Sequence, residues 1–378
     1  MTAAPVFQLS ADRSELTLNW PDRSPSTYHA IWLRDHGQDT ASRDPANGQK
    51  LLTATDIDPD TRIDSARVTR DRLSLTFEGG VSTWIDLQWL QRLSTDPRAE
   101  PPLIPDGRYT WGSALDPEEV IASYPDIRDN PGSLAKWLAW VDTLGFARLR
   151  QVPATPDALF EVIDLFGFVR ETNYGRLFEV RSEPEPTNLA YTRVGLDPHT
   201  DNPYRDPTPT LQILHCLENT TSGGESCVVD GFRLAEILQR ESPYHFSLLS
   251  RYPVTFRYHG DGKSDLNAVR PMLEMGPDGS LQQVRINNRA FHALSGIPFA
   301  QVTDFYAAYR HLVEISRRSD VSVSFRMQSG DLFIVDNTRV LHGRKGFTEQ
   351  GRRWFQGAYA DIDGLRSTLR VLRGGSAE

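Results

Sequence analysis

The sequence predicts a mainly β protein with flanking helices, organised as a double-sheet jelly roll. Beyond residue 190 the chain is a succession of short apolar and β-branched segments separated by turn residues. Two helical patterns interrupt these segments, at 232–242 and 299–319. Many short strands with few helices favour a jelly roll over a parallel α/β sheet. The predicted strands are 210–217, 226–232, 254–260, 281–288, 321–327, 331–337 and 352–361.

The first hundred residues predict a small, separate β-rich domain. Its predicted strands are ELTLNW, YHAIWLRD and an alternating segment that turns at Gly79 and Gly80, which is typical of a hairpin. A segment rich in proline and charge follows at 94–109 and predicts a linker. We therefore predict an N-terminal domain at 1–108 and a larger second domain at 109–378. The second domain begins with helical patterns at 133–145 and 157–167.

Composition excludes several classes of partner. A net charge of −9 and a pI near 5.5 argue against nucleic acid and anionic membranes, because both reward a basic surface. There is no apolar run of about 18 residues that could span a membrane. The N-terminus lacks the pattern of a signal peptide, and the two cysteines, Cys216 and Cys227, suit a reducing compartment. We expect a cytoplasmic protein.

A metal site is predicted where an extended segment becomes a buried strand. His199 and Asp201 form an H-x-D pair before the apolar run at 211–217, and His342 lies where a later strand ends. Two histidines and one carboxylate leave open positions on an octahedral iron, the arrangement that Fe(II) enzymes use to activate O₂. Zinc accepts the same ligands, and an H-x-D pair alone is also typical of a solvated turn. His215, within an apolar strand, is interpreted as a hydrogen-bonded core histidine.

An iron centre of this kind needs an electron source, commonly a 2-oxo acid. Such a cosubstrate chelates the metal and presents a second carboxylate at its far end, for which a guanidinium is a suitable partner. Alternation along the last predicted strand puts Arg353 on one face with Phe355 and Tyr359. Arg353 is therefore the candidate partner, with Ser226 as a second donor. The alternative is an edge-strand arginine that points into solvent.

The motifs together resemble a known enzyme family. HTDNPYRDPTPTLQILHCLENTTSGGESCVVDGF, RVLHGRKGF and RRWFQGAYAD are similar to the γ-butyrobetaine hydroxylase branch of the Fe(II)/2-oxoglutarate dioxygenases, within the taurine-dioxygenase-like superfamily. The resemblance covers nearly the whole chain. It implies a double-stranded β-helix (a cupin-like jelly roll), iron held by His199, Asp201 and His342, 2-oxoglutarate held by Arg353, O₂ as oxidant and a homodimer.

The N-terminal domain departs from this family. Relatives often carry a cysteine cluster after W-L-R-D that binds structural zinc. Here the corresponding text is WLRDHGQDTASRDPANGQK, without any cysteine. His36 alone cannot form a zinc site. We therefore predict an N-terminal domain without metal.

The resemblance implies a trimethylammonium substrate held by an aromatic cage. A quaternary ammonium cannot donate a conventional hydrogen bond, so aromatic ring faces are its natural partners, at about 0.5–2 kcal/mol each. The alternative, that these rings are ordinary core residues, follows from their spacing alone. The candidate cage residues are Tyr174, Phe178, Tyr191 and Tyr359.

The other end of the substrate is expected to be anionic. Asn188 matches a position that contacts the substrate carboxylate in relatives, and Asn287 or Asn288 lies near another such position. This sequence adds donors at Asn202, Tyr204 and Arg289. Extra donors favour a phosphonate, which has three oxygens and up to two charges. The predicted reaction is hydroxylation of 2-(trimethylamino)ethylphosphonate at the carbon next to phosphorus.

Three alternatives stay open at this point. The enzyme could convert γ-butyrobetaine to carnitine. Tyr204 and Arg289 could serve loop packing alone. A hypothesis of another class is a non-catalytic sensor that binds betaines, although such a sensor would have no use for a cosubstrate partner such as Arg353.

Overall fold

A computed structural model describes residues 4–93, 102–181, 195–260, 262–294, 296–347 and 351–374. Contacts between Cα atoms divide the chain into two units, residues 1–100 with Glu378, and 101–377. Residues 102–108, which the sequence analysis places before the boundary, make contacts in the second unit. Leu103 and Ile104 pack against its core. None of the described helices is long and apolar enough to cross a membrane.

The described residues of the first unit form two three-stranded antiparallel sheets and two short α-helices. The sheets have the strand orders β1-β2-β3 and β4-β5-β6. Leu16, Leu18, Leu73 and Ile85 are among the side chains of its buried core. The elements are β1 (Val6–Leu9), β2 (Glu15–Asn19), β3 (Ser26–His29), α1 (Ala30–Asp35), β4 (Ile63–Val68), β5 (Arg72–Phe77), β6 (Ser82–Asp86) and α2 (Leu87–Leu93).

One prediction in this unit is wrong in part. YHAIWLRD is not a single strand, because β3 ends at His29 and α1 begins at Ala30. Ala30 and Leu33, three residues apart, are both buried on one side of this helix. A single helical turn is too short for its period to be distinguished from strand alternation in the sequence.

The second unit contains the remaining elements. They are β7 (Ile121–Ser123), α3 (Tyr124–Asp129), α4 (Pro131–Leu144), β8 (Phe146–Arg150), α5 (Ala158–Ile163), β9 (Val169–Arg170), β10 (Phe178–Arg181), β11 (Leu196–His199), β12 (Leu211–Asn219), β13 (Ser226–Asp230), α6 (Gly231–Glu241), α7 (Pro243–Arg251), β14 (Pro253–Gly260), β15 (Ser264–Pro271), β16 (Leu273–Met275), β17 (Leu281–Val284), β18 (Phe291–Leu294), α8 (Val302–Ser316), β19 (Ser322–Phe325), β20 (Leu332–Asp336), β21 (Val340–Arg344), β22 (Arg353–Ala360) and α9 (Ile362–Leu372).

Two sheets of the second unit form the jelly roll, as the sequence predicts. The larger has the order β10-β22-β12-β20-β8-β7, with β9 also on β22, and the smaller has the order β11-β21-β13-β19. A core cluster draws side chains from both sheets, including Phe146, Val228, Phe325 and Phe333. A second cluster joins α4, α5 and α9 to the larger sheet. The remaining strands form two small sheets, β15-β14-β18 and β16-β17.

Local sequence explains where the long helix α4 begins and ends. The Asn130 side chain accepts hydrogen bonds from the backbone N–H groups of Gly132 and Ser133, so it caps the helix. Gly145 ends the helix in the left-handed conformation, at φ 74°. β8 starts directly after this turn.

One predicted strand of the second unit is shorter in the structure. The prediction covered 281–288, but β17 ends at Val284.

Candidate active site

Two histidines face each other on neighbouring strands of the smaller sheet. β11 and β21 pair antiparallel with His199 directly opposite His342, and the ring centroids are 4.7 Å apart. Asp201 follows two residues after β11. Its Oδ1 lies 3.4 Å from Nε2 of His199, and its Oδ2 lies 3.6 Å from Nε2 of His342. One ligand atom of each residue lies within 4.8 Å of the others, so strand pairing brings the three predicted ligands together.

The protonation states of this cluster suit a divalent metal. The Nδ1–H of His199 donates to the Asp197 carbonyl oxygen at 2.9 Å, so Nε2 is the ring nitrogen that faces the ligand cluster, where Arg289 Nη2 lies 2.9 Å away. Burial lowers the pKa of His342, despite the nearby Asp201 carboxylate. Burial opposes ionisation of Asp201, but the charge and hydrogen bonds of the two histidines hold its pKa well below the ordinary value. Metal binding uses the ionised carboxylate and neutral imidazoles, so a metal that enters this cluster displaces any proton that a histidine shares with Asp201.

Asn337, which the sequence analysis did not identify, holds the backbone of Asp201. Its Oδ1 accepts from the Asp201 N–H at 2.7 Å, and its Nδ2 donates to the Asp201 carbonyl oxygen at 2.9 Å. The Asn337 side chain is fully buried directly after β20. The ligand loop is therefore attached to a strand of the other sheet.

Two buried arginines line the same cavity. Arg353 begins β22, and its guanidinium carbon lies 3.9 Å from the centroid of the Phe355 ring. Its Nε has no hydrogen-bond partner among the described residues. Burial, and then repulsion by Arg344, lowers the pKa of Arg353 to about 9. The buried, positively charged guanidinium of Arg353 would be stabilised by an anion bound in the cavity.

Arg344 is a residue that the sequence analysis missed. It lies two residues beyond His342 on β21, so strand alternation directs both side chains to the cavity. Burial lowers the pKa of Arg344 to about 10. The predicted donor Ser226 lies opposite Arg344 in the pairing of β13 with β21, and it is buried at the cavity wall. Counting by two from His342 would have indicated Arg344.

Three of the predicted cage aromatics line this cavity in a row. The ring centroids of Tyr174 and Phe178 are 6.5 Å apart, and those of Phe178 and Tyr359 are 5.2 Å apart. Gly357 lies opposite Phe178 across β10 and β22, where a Cβ atom would approach the Phe178 ring to 2.2 Å. Glycine at this position therefore makes room for the ring.

Tyr258 on β14 extends the aromatic wall, although the sequence analysis did not select it. Its ring is stacked on Tyr204 at 5.1 Å and lies edge-on to Tyr174 at 5.8 Å. β14 belongs to a different sheet from β10 and β22, so the alternation of residues along those strands could not predict that Tyr258 lines the cavity. Asn188 and Tyr191, also predicted to bind substrate, lie outside the described residues.

The added donors also line the cavity. Asn202 adopts the left-handed conformation, at φ 53°, and its buried Nδ2 has no hydrogen-bond partner among the described residues. Its Oδ1 accepts from the Tyr204 hydroxyl at 2.6 Å. Arg289 brings Nη2 to 2.9 Å from Nε2 of His199, so it reaches the metal-ligand cluster. Asn287 bonds the Thr200 carbonyl oxygen at 2.9 Å, which ties it to the ligand loop.

One histidine differs from its interpretation. His215 is fully buried on β12, but neither ring nitrogen has a hydrogen-bond partner among the described residues. The prediction of a hydrogen-bonded core histidine is therefore wrong in that part. Burial lowers the pKa of His215 to about 4, so the ring is neutral.

Comparison with known proteins gives consistent matches for both units. Residues 112–359 match the taurine catabolism dioxygenase TauD, TfdA family, and residues 7–91 match the gamma-butyrobetaine hydroxylase-like N-terminal family. Gamma-butyrobetaine dioxygenase of Pseudomonas sp. (strain AK-1) is 31% identical over 374 residues, which cover 98% of this chain and 97% of the relative. Mitochondrial trimethyllysine dioxygenase of Gallus gallus is 30% identical over 373 residues, covering 97% and 88%.

A solved structure shares the fold at low identity. AAD-2 in complex with Mn(II) and N-oxalylglycine aligns with a TM-score of 0.52 and 13% identity, over 67% of this chain and 98% of that one. The match is to the jelly-roll fold and carries no information on the substrate.

The jelly roll, the ligand cluster and these relatives define a non-haem iron, 2-oxoglutarate-dependent dioxygenase. The chain belongs to the taurine catabolism dioxygenase TauD, TfdA family, and both of its units match relatives of the gamma-butyrobetaine hydroxylase type. Iron and 2-oxoglutarate are its cofactor and cosubstrate, so the hypothesis of a non-catalytic sensor is wrong.

Proposed function

We propose that the enzyme hydroxylates 2-(trimethylamino)ethylphosphonate at the carbon next to phosphorus. In this reaction 2-oxoglutarate and O₂ are consumed, and succinate and CO₂ are released. One oxygen atom enters succinate and the other forms the new hydroxyl group. The observation that carries the proposal is one cavity with three features: an aromatic wall, a buried amide donor of Asn202 that no described residue accepts, and an arginine beside the ligand cluster.

His199, Asp201 and His342 are proposed to hold the iron. The donor set fits, because two imidazole nitrogens and one ionised carboxylate converge on the cavity. Bound iron supplies the activation of O₂. The protein contributes the orientation of the ligands through Asp197 on His199 and through Asn337 on the Asp201 backbone.

Arg353 is proposed to bind the far carboxylate of 2-oxoglutarate, with Ser226 as a second donor. The buried guanidinium has a donor that nothing among the described residues accepts, and an anion would satisfy it. Arg344, at the same part of the cavity wall, adds positive charge that favours a dianion. The aromatic rings of Phe347 and Phe355 flank the Arg353 guanidinium and limit its movement.

The trimethylammonium group is proposed to lie against the aromatic wall. Tyr174, Phe178 and Tyr359 present rings to the cavity, and Tyr258 adds a further one. Ring faces attract a cation that has no N–H group, and burial strengthens the attraction. The relatives named for gamma-butyrobetaine and trimethyllysine support a substrate of this class.

The anionic group is proposed to bind Asn202 and Arg289, with Tyr204 ordering the Asn202 amide. Tyr204 donates to Asn202 Oδ1, which directs the Nδ2 donor away from the tyrosine. Arg289 approaches a metal ligand, so an anion bound to it would lie near the reacting carbon. A phosphonate, with three oxygens, can satisfy more donors than a carboxylate can.

The test compares two substrates in the wild type and Arg289→Ala. Arg289 is exposed without a ligand, and a hydrogen bond to a charged group is worth about 1.5–3 kcal/mol. We therefore expect kcat/KM for the phosphonate to fall by about 10- to 150-fold, and less for γ-butyrobetaine. Succinate release, measured with each substrate, gives both values. Arg310→Ala, an exposed helix arginine, is the matched control and should leave both unchanged.

Hydroxylation of γ-butyrobetaine to carnitine is the second candidate, favoured by the 31% identity to a gamma-butyrobetaine dioxygenase. This candidate is correct if the wild type converts γ-butyrobetaine better than the phosphonate and Arg289→Ala affects neither. Tyr204 and Arg289 would then serve packing. A homodimer and a cytoplasmic location are further proposals from the resemblance and the composition, and light scattering of the purified enzyme tests the first.

A further inference from the structure

Asp201 receives two side-chain hydrogen bonds on a single oxygen. Gln212 donates from Nε2 to Asp201 Oδ2 at 2.5 Å, and the Tyr359 hydroxyl donates to the same oxygen at 2.8 Å. Both donors are buried, with 2% and 4% of their surface exposed. Two buried donors on one oxygen restrict rotation of the carboxylate, because any rotation breaks charge-assisted hydrogen bonds.

The two donors are a cross-strand pair. Gln212 on β12 lies directly opposite Tyr359 on β22, so both side chains project to the same face of the larger sheet. That face lines the cavity. Asp201 approaches from the ligand loop beyond β11, in the smaller sheet. The pair therefore connects one sheet of the jelly roll to a ligand carried by the other.

Tyr359 has a second set of contacts through its ring. The ring lies 5.2 Å from that of Phe178, within the aromatic wall proposed to hold the trimethylammonium group. The same residue thus presents a ring to the cation and a hydroxyl to the metal ligand. A cation bound against this ring would therefore lie on the residue that donates to Asp201 Oδ2.

We propose that Gln212 and Tyr359 are positioning residues that hold Oδ2 of Asp201 and so fix the orientation of its carboxylate for the metal, and that Tyr359 couples the substrate cation to the metal centre. The coupling half of this inference rests on the proposed function, whereas the positioning half needs only the iron site. Groups that orient metal ligands typically change metal affinity by about 10- to 100-fold.

The test measures Fe(II) affinity without turnover. Anaerobic titration with Fe(II), in the presence of 2-oxoglutarate and without substrate, should give a Kd about 10-fold or more above wild type for Tyr359→Phe and for Gln212→Leu. The matched control is Tyr124→Phe, which removes a hydroxyl that donates to the Glu161 carboxylate at 2.8 Å, also from a buried tyrosine. Its Fe(II) affinity should equal that of the wild type.

Thermal melts of the metal-free proteins establish that each variant folds. Tyr359→Phe keeps the ring and differs by one oxygen atom, so it decides the outcome if Gln212→Leu fails to fold. An Fe(II) Kd for folded Tyr359→Phe within twofold of wild type overturns the positioning role.

Substrate binding separates the two roles of Tyr359. Because the ring remains in Tyr359→Phe, the KM for the trimethylammonium substrate should change less than the Fe(II) Kd. A raised KM with unchanged Fe(II) affinity would mean that Tyr359 contributes to the cage alone. If the wild type turns over neither trimethylammonium compound, the proposed function fails, but the Fe(II) titration still tests the positioning role.

Discussion

Arg352 and Arg353 are neighbours in the chain but lie in opposite environments. The Arg352 side chain is 82% exposed, near Glu218, whereas Arg353 is buried at the cavity wall. Arg353 begins β22 and Arg352 directly precedes it, and successive side chains of an extended backbone point to opposite faces. Substitution of Arg352 therefore serves as a control for substitution of Arg353, because it removes the same charge outside the proposed 2-oxoglutarate site.

Arg353→Gln should weaken 2-oxoglutarate binding, because loss of one partner from a desolvated charge pair costs about 2–5 kcal/mol. That cost corresponds to an increase in Kd of about 30-fold or more. Anaerobic binding of 2-oxoglutarate in the presence of Mn(II) measures it. Arg352→Gln removes the same charge at an exposed position and should leave the Kd unchanged. Equal affinities of Arg353→Gln and wild type would contradict the assignment.

Each of the three proposed iron ligands should be essential. His199→Ala, Asp201→Ala and His342→Ala should each abolish succinate production and lower the iron content, since each removes a ligand from the open site. Succinate release and metal analysis of the purified proteins measure both effects. The exposed His259 offers a control, because His259→Ala should behave as wild type. Near-wild-type succinate production by any ligand variant would rule out that ligand.

At the scale of elements, a hydrogen-bonded loop follows α1 where relatives often have cysteines. Asp39 accepts from the Ser42 hydroxyl at 2.7 Å, from the Ala41 N–H at 2.9 Å, and from the Thr83 hydroxyl on β6. Gly37 lets these groups approach, because a Cβ atom there would lie 2.8 Å from the Ser42 hydroxyl. Hydrogen bonds to Asp39 thus join the loop to the sheet, and no cysteine ligands for a metal are present in it.

Asp39→Ala should destabilise the first unit by about 1–3 kcal/mol, since it leaves several donors unsatisfied. Burial opposes ionisation of Asp39, but these hydrogen bonds lower its pKa below the ordinary value. The carboxylate therefore stabilises the fold above the pKa of the unfolded chain, and this contribution is lost as pH falls through the lower folded value. Urea unfolding at neutral pH and at about pH 3 tests both points.

Asp44→Ala is the control in the same loop. Among the described residues, the Asp44 carboxylate accepts hydrogen bonds from two backbone N–H groups, of Ala46 at 2.7 Å and of Asn47 at 3.3 Å. Its removal should cost less than that of Asp39. A loss for Asp44→Ala as large as that for Asp39→Ala would contradict a special role of the Asp39 network.

The first unit should also bind no zinc. His36, the histidine that follows W-L-R-D, bonds the Trp32 carbonyl oxygen through Nδ1 at 2.8 Å and stacks on the Trp32 ring at 4.2 Å. The His36 side chain is therefore engaged in packing against Trp32 and in a hydrogen bond to its backbone. Metal analysis of protein purified without added zinc should find metal only at the iron site. A second metal at one equivalent would contradict this prediction.

At the scale of the whole molecule, the buried His215 should make stability depend on pH. Burial lowers its pKa from 6.5 to about 4, so between these values the unfolded chain binds more protons than the folded protein does. Stability is then lost as pH falls from about 6.5 to about 4, by up to roughly 3 kcal/mol from this residue. The loss should disappear when the imidazole is removed.

His215→Leu should therefore unfold at higher urea concentration than wild type near pH 4, with a smaller difference or none near pH 7. Far-ultraviolet circular dichroism follows the transition of the second unit at each pH. The exposed His259 is again the control, and His259→Leu should retain the pH dependence of the wild type. An identical pH dependence of His215→Leu and wild type would show that another group is responsible.

Short-range pattern in the sequence determined the fold class, the enzyme family and the residue types of the site. Apolar alternation and turn residues are local, so the strand that holds Arg353 could be predicted before its partners were known. His342 was expected where a strand ends, but it lies within β21, which was not among the predicted strands. The jelly roll, the iron and the 2-oxoglutarate dependence are confirmed. The family resemblance depended on the same motifs.

Strand register and packing between sheets decided the rest. The sequence contains no signal that places His199 opposite His342 or Gln212 opposite Tyr359, because pairing depends on which strands become neighbours. Tyr258 joins the cavity wall from a third sheet. The lack of a hydrogen-bond partner for His215 among the described residues could not be predicted from the sequence. The strands on either side of it, β20 and β22, come from distant segments, and local pattern does not show which groups they bring near.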